Sequence, residues 1–216
     1  MRFVLAVLLL IAVALPAAAQ GRKAAPGSFD YTLLVLSWSP QYCADQGDRA
    51  PAQQCGPDRR FGFVVHGLWP QYQNGGWPEN CSTERVSDQM IGRMLDIMPS
   101  RQLVIHEWRR HGTCSGQSAD DYFGTIRKSF TGISIPDRYR NPAVPVTVGR
   151  QQLIDDFLAA NPKMPREAIR LKCRKSELEE IAVCMARDGV TPQACGKLNY
   201  SCHGETLRLA AVRGGA

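Results

Sequence analysis

The sequence predicts a single α+β domain held together by disulfides. Three observations carry that expectation. Strand-like and helix-like segments interleave without the regular βαβ rhythm of a parallel α/β fold. The chain has 216 residues, 44% of them hydrophobic, which suits one core of ordinary size and is too apolar for disorder. Eight cysteines, an even number, follow what reads as an export signal, and exported chains are where disulfides form and persist. The 19 Gly and 14 Pro are too few for a collagenous or low-complexity chain. No second long apolar run follows the first, which excludes a polytopic membrane protein.

The elements follow in order. Arg2, the apolar run 3–15 and Ala17-Ala18-Ala19 form the charged start, hydrophobic stretch and A-x-A end of a secretory signal peptide. The expected division is residues 1–19 as signal and 20–216 as one domain. Cleavage after Ala19 removes one basic and no acidic residue, so 26 Lys+Arg become 25 against 20 Asp+Glu, a mature charge of +5. Residues 21–27 read as a flexible lead-in. Residues 30–38 (DYTLLVLSW) read as a buried strand. Residues 39–60, with several Pro and Gly, read as loop. Residues 61–66 (FGFVVH) form a second strand, apolar on both faces and halted by Gly67.

Helical spacing then runs over residues 86–98 up to Pro99, and over 104–111 up to Gly112. Ser118, with Asp121 three residues later, resembles a capping box opening a helix through Tyr122, Ile126 and Phe130. Residues 131–148 form a Pro-punctuated loop and 151–160 another helix. Residues 176–187 suit a Glu-rich helix or a strand through Ile181-Ala182-Val183-Cys184, and the pattern leaves both open. Residues 206–210 are a late strand, and 210–216 look like a frayed tail.

The cysteines are Cys43, Cys55, Cys81, Cys114, Cys173, Cys184, Cys195 and Cys202. Four disulfides are expected, but spacing alone leaves roughly a hundred pairings open. No C-x-x-C pair occurs, which argues against a zinc site.

Chemistry concentrates in two segments that hold three of the four histidines. One is His66-Gly67-Leu68-Trp69-Pro70. The other is His106-Glu107-Trp108-Arg109-Arg110-His111-Gly112-Thr113-Cys114. On a helix turning about 100° per residue, with His106 at zero, Arg110 falls near 40°, Glu107 near 100° and His111 near 140°. Trp108 points away from this arc, and Trp38 and Trp108 read as structural. Glu107 and His111 form an i,i+4 pair within hydrogen-bonding reach, so the carboxylate is expected to favour the imidazolium or fix the ring. Two imidazoles, a carboxylate and a guanidinium on one face suit phosphoryl transfer by acid–base catalysis. The bland alternative is a solvated polar face, but the neighbours Leu103-Val104-Ile105 are apolar and Lys is scarce. A zincin reading fails on spacing, because H-E-x-x-H needs its second histidine one residue earlier. His203 reads as an incidental surface residue.

The strings FVVHGLWPQ (63–71) and IHEWRRHGTC (105–114) resemble the two active-site segments of the ribonuclease T2 family. LSWSPQYC (36–43) and LKCRKSELEEIAVC (171–184) are similar to its opening and C-terminal segments. The resemblance implies a central, mainly antiparallel sheet packed by helices, with residues 176–187 as strand. It implies cleavage of single-stranded RNA through a 2′,3′-cyclic phosphate to 3′-phosphate ends, with broad base preference and no metal or other cofactor. His111 would be the general base, His66 the general acid and His106 a phosphate ligand, while Glu107 and Arg110 would stabilise the transition state. Arg110 stands where the family commonly has Lys, and the two differ in shape and hydrogen-bonding fork. The implied disulfides are Cys43–Cys55, Cys81–Cys114, Cys173–Cys202 and Cys184–Cys195.

Trp69, Tyr42 and Tyr72 are candidates for stacking on bases. The +5 charge helps a polyanion approach without identifying RNA. RNA is the expected partner of a monomer with no stable membrane association, secreted or periplasmic after signal cleavage. Asn80-Cys81-Ser82 and Asn199-Tyr200-Ser201 match the glycosylation sequon.

Overall fold

Strand β2 is the spine of the fold. In the computed structural model, which describes residues 21–212, the strands are β1 (Gly21–Arg22), β2 (Tyr31–Trp38), β3 (Phe63–Gln71), β4 (Trp77–Pro78), β5 (Val146–Gly149), β6 (Ile169–Arg174), β7 (Glu177–Met185) and β8 (Thr206–Leu209). The helices are α1 (Ser39–Gln46), α2 (Ala52–Cys55), α3 (Asp88–Met94), α4 (Arg101–Arg110), α5 (Ala119–Gly132), α6 (Asp137–Arg140) and α7 (Arg150–Ala160). The expected signal peptide, 1–19, lies outside the described residues.

Strands alternate their side chains between two faces, and β2 buries both. Leu34, Leu36 and Trp38 enter the main core. Tyr31, Leu33 and Val35 form a smaller cluster on the other face with Ala182 and Cys184. The sheet runs β3-β2-β7-β8-β5, with β6 also on β7. Every pairing in it is antiparallel except the single β7–β8 contact, Glu177 to Arg208.

Two bulges set which way the site residues face. Leu36 pairs with Val65 and Val35 with Gly67, so His66 is the extra residue of β3. Lys172 pairs with Glu180 and Cys173 with Leu178, so Glu179 is the extra residue of β7. An extra residue bends the strand and re-aims its neighbours, and it exchanges the faces of everything beyond it. Phe63 and Val65 thus face the main core before the bulge and Leu68 faces it after, while Trp69 joins the opposite cluster. Gly67 therefore does not halt β3; the strand runs on to Gln71.

Helices α3, α4, α5 and α7 supply the main core with Met90, Ile91 and Met94, with Val104 and Trp108, with Tyr122, Phe123 and Ile126, and with Leu153 and Phe157. Trp38 and Trp108 are fully buried, as structural residues should be. Serine caps open three of these helices, with Ser87, Ser100 and Ser118 accepting from the backbone N–H of Met90, Leu103 and Asp121. Each such cap stabilises its helix by about 1 kcal/mol. The Ser87 cap places the start of α3 later than the spacing of 86–98 suggested, and a turn follows Met94.

Other expectations are corrected. Residues 39–60 contain α1 and α2: Pro40 sits in the first turn of α1, where its missing N–H costs nothing. Residues 131–148 contain α6 and the start of β5, and the sequence reading passed over β6. The lead-in is tied down, with Gly21–Arg22 paired to Trp77–Pro78 and Gly27 N–H donating to Cys114 O. Residues 210–212 are not frayed, because Ala210 O accepts from Trp38 Nε1 and Val212 N–H donates to Pro142 O.

The disulfides are Cys43–Cys55, Cys81–Cys114, Cys173–Cys202 and Cys184–Cys195, and no cysteine is free. These are the pairs that the resemblance implies. Cys81–Cys114 fastens the chain beyond β4 to the turn that ends α4. The last two fasten the segment after β7 to β6 and β7. Among the described residues no helix is long and apolar enough to cross a membrane.

Candidate active site

A cleft of about 430 Å³ opens where β3, the end of α4, β6, β7 and residues 197–200 meet. His66, His106, Glu107, Arg110 and His111 all line it. His66 comes from the β3 bulge. His106, Glu107 and Arg110 project from the last turns of α4, and His111 is its C-cap residue. Leaving regular helix there lets the His111 ring turn into the protein, where it is buried.

Trp69 joins the two segments. Its indole N–H donates to Glu107 Oε2 at 2.6 Å. Its ring stacks on His111, with centroids 5.1 Å apart and planes at 24°, and meets the edge of His66, also at 5.1 Å. The two imidazoles therefore both pack against one indole and line one cleft. Both motif glycines are steric requirements. A Cβ on Gly67 would lie 2.1 Å from Glu107 Oε2 and 2.3 Å from Trp69 Nε1. A Cβ on Gly112 would lie 2.4 Å from the Trp108 ring. Neither separation is sterically possible.

The expected hydrogen bond between the side chains of Glu107 and His111 does not form. Glu107 is turned to Trp69 and to His66, whose Nε2 is 3.7 Å from Glu107 Oε1. His111 Nδ1 is buried without a partner. The expectation rested on helical spacing, but His111 is no longer on the helix.

The electrostatics divide the histidines. Burial opposes the His66 imidazolium, yet the hydrogen bond from Nδ1 to Glu180 Oε1 at 2.9 Å and the charges of Glu107 and Glu180 outweigh it, so its pKa lies above the ordinary 6.5. Burial, with Arg110, His106 and His66 nearby, holds His111 well below 6.5. His106 is lowered less, by burial, Arg110, Arg109 and His66. Burial pushes Glu107 up to about 7 against the pull of His66, Trp69 and Arg110. The site thus favours one charged imidazole and one neutral one at the same pH.

Arg110 is not free: its guanidinium pairs with Glu79 at 2.9 Å. Of the three aromatics proposed for bases, only Trp69 borders the cleft. Tyr42 borders a smaller recess of about 80 Å³ that shares His66 with the cleft, and Tyr72 is half-buried in the turn closed by its N–H to Gly76 O. Trp77 and Tyr200 border the cleft instead. His203 is exposed. Sequence reasoning also missed Lys172 and Glu180. For Lys172 the signal was present, since Ile169-Arg-Leu-Lys-Cys-Arg174 alternates apolar and basic as a strand does. Among the described residues no group of three or more His, Cys, Asp or Glu side chains is placed to hold a metal ion.

Fold and site together define a disulfide-bonded α+β protein with an acid–base cleft. The model of the ribonuclease T2 family matches residues 29–195. A ribonuclease of Aeromonas hydrophila is 48% identical over 100 residues, 46% of this chain and 44% of its own. A probable ribonuclease of Haemophilus influenzae is 32% identical over 154 residues, 65% and 54% of the two chains. The chain thus spans about half the length of these two relatives. Ribonuclease DdI of Dictyostelium discoideum is 27% identical over 216 residues and 93% of each chain. Among solved structures, ribonuclease MC1 from bitter gourd seeds is similar with a TM-score of 0.66 and 26% identity, over 83% of this chain and 99% of that one. This chain belongs to the ribonuclease T2 family.

Proposed function

We propose that the protein is a secreted or periplasmic endoribonuclease that cuts single-stranded RNA without a metal. The ribose 2′-oxygen attacks the adjacent phosphorus while neutral His111 takes its proton. The bond from phosphorus to the 5′-oxygen breaks, and His66 protonates that oxygen. The resulting 2′,3′-cyclic phosphate is opened by water with the roles exchanged: His66, now neutral, takes the proton from water and His111 returns one to the 2′-oxygen, leaving a 3′-phosphate. RNA supplies its own nucleophile, so a DNA strand lacking the 2′-hydroxyl is not a substrate.

The observation that carries this reading is that His66 and His111 both pack against Trp69 and line one cleft, with opposite preferences for charge. A base must be neutral and an acid charged before the reaction starts. Burial pushes the Glu107 pKa up to about 7, and in its protonated form the carboxyl can donate to a phosphoryl oxygen, as a buried neutral carboxyl does elsewhere. His106 and Arg110 add donors at the cleft wall, although Glu79 neutralises part of Arg110. Trp77 and Tyr200 border the cleft and offer aromatic faces on which any base can stack, which supports broad base preference. The ribonuclease MC1 variant solved with 5′-UMP shows that the similar fold accommodates a nucleotide. Four disulfides fit an oxidising compartment, and a signal at 1–19 would lead there.

The test incubates pure protein with RNA and with matched DNA in excess EDTA and follows the products. RNA cleavage through a cyclic phosphate, with DNA untouched, is expected. No RNA cleavage, or equal cleavage of DNA, would refute the reading.

A further inference from the structure

Glu180 takes no part in the proton transfers above, yet it is buried and makes the shortest polar contact of His66. It reaches His66 from β7, across β2, with Oε1 2.9 Å from Nδ1. Its other oxygen, Oε2, accepts from the Tyr200 hydroxyl at 3.2 Å and from Lys172 Nζ at 3.3 Å. A buried carboxylate is tolerated only when its lone pairs are satisfied, and here three elements satisfy them. Residues beyond β7 bring Tyr200 into place, pinned by Cys184–Cys195 and Cys173–Cys202. Glu180 shares this face with Ala182 and Cys184, two and four residues on along regular β7.

We infer that Glu180 is the positioning residue of the proposed acid: it binds the Nδ1 proton, fixes the ring, and leaves Nε2 as the nitrogen presented to the cleft. A hydrogen bond to one ring nitrogen decides which proton the other can give. A fixed carboxylate also favours the charged ring, which is the form an acid needs. The inference rests on the reading of His66 as the acid. It assigns to Glu180 a role that resembles the orienting carboxylate of other acid–base sites.

The groups facing His66 set the expected sign of each change. Glu107 approaches from α4 at 3.7 Å and Glu180 from β7 at 2.9 Å, and both favour its charge. Lys172 on β6 opposes it. Trp69, on the same strand, is neutral. His106, His111 and Arg110, from the end of α4, and Lys197 and Tyr200, from the segment after β7, are the remaining titratable or cationic groups lining the cleft. Glu180→Gln keeps the shape and removes the charge. Lys172→Met keeps Glu180 and removes the opposing charge.

The experiment titrates the His66 ring by NMR in the full mature protein and both variants, beside kcat/KM profiles on a dinucleotide. E180Q should lower the His66 pKa, move the alkaline limb of the profile to lower pH and cut kcat about ten- to hundredfold near neutrality, with part of the loss recovered in acid. K172M should move the same limb the other way. An unchanged His66 titration in E180Q would overturn the inference. Should E180Q fail to fold, K172M decides alone: a raised His66 pKa supports the assignment and an unmoved one defeats it. If the wild-type protein does not cut RNA, the functional reading fails while the ring titration still reports on Glu180.

Discussion

Trp69 and Glu107, 38 positions apart, are joined by a 2.6 Å hydrogen bond across the space that Gly67 leaves open. That bond aims the carboxyl into the cleft and holds the indole flat against His111. Trp69→Phe keeps a ring but removes the donor, leaving a buried oxygen unpaired at a cost of about 1–3 kcal/mol. Urea unfolding should show that loss of stability, and RNA cleavage should fall at least tenfold at saturating substrate.

The same space predicts the outcome at Gly67. A methyl group 2.1 Å from Glu107 Oε2 forces the carboxyl and indole apart, and overpacking of this kind costs roughly 1–3 kcal/mol. Gly67→Ala is expected to lower the denaturation midpoint and nearly abolish activity. An active, fully stable G67A protein would contradict the packing described above.

His66→Ala and His111→Ala should each reduce kcat by about 10²–10⁴, the usual contribution of a positioned acid or base. Both should keep the wild-type circular dichroism spectrum. Retained activity in either would show that the acid and base are misassigned.

The pH dependence follows from the directions of the two shifts. As the proposed base, His111 must be neutral, and its pKa is held well below 6.5, so activity should rise through an acidic limb that lies below pH 6.5. As the proposed acid, His66 must be protonated, and its pKa is raised above 6.5, so activity should fall through a limb above that value. The profile of kcat/KM is therefore a plateau widened on both sides rather than a narrow bell. A single peak with both limbs pressed against 6.5 would refute the division of charge between the rings.

Cys81–Cys114 closes a loop with a sequence separation of 33. Restricting an unfolded loop of that size contributes roughly 3–4 kcal/mol. Replacing both cysteines with Ala should remove about that much in guanidinium unfolding. Activity should fall more than stability alone explains, since Asn80 N–H also bonds Arg110 O at the end of α4.

Much of the fold was legible because local pattern and burial coincide. Residues 31–38 form a strand because both faces are buried, and an apolar run signals that directly. Ser118 and Asp121 cap α5 as their spacing suggested. Residues 176–187 were ambiguous because helix and strand patterns overlap over a short apolar run. Helix α1 was hidden by Pro40 and a weak apolar stripe.

The sequence by itself determined that three histidines, Glu107 and Arg110 occupy two short segments, and that the cysteines number eight. Tertiary structure decided their directions. The bulges at His66 and Glu179 exchange the faces of their strands, and no residue pattern within one strand reveals its partner's register. Burial then separated the charge preferences of two chemically identical rings. Glu180 reaches one of them from 114 positions away, while the other is buried with Nδ1 unpaired. A pKa depends on the charges and solvent around a group, and those neighbours come from distant parts of the chain only when it folds.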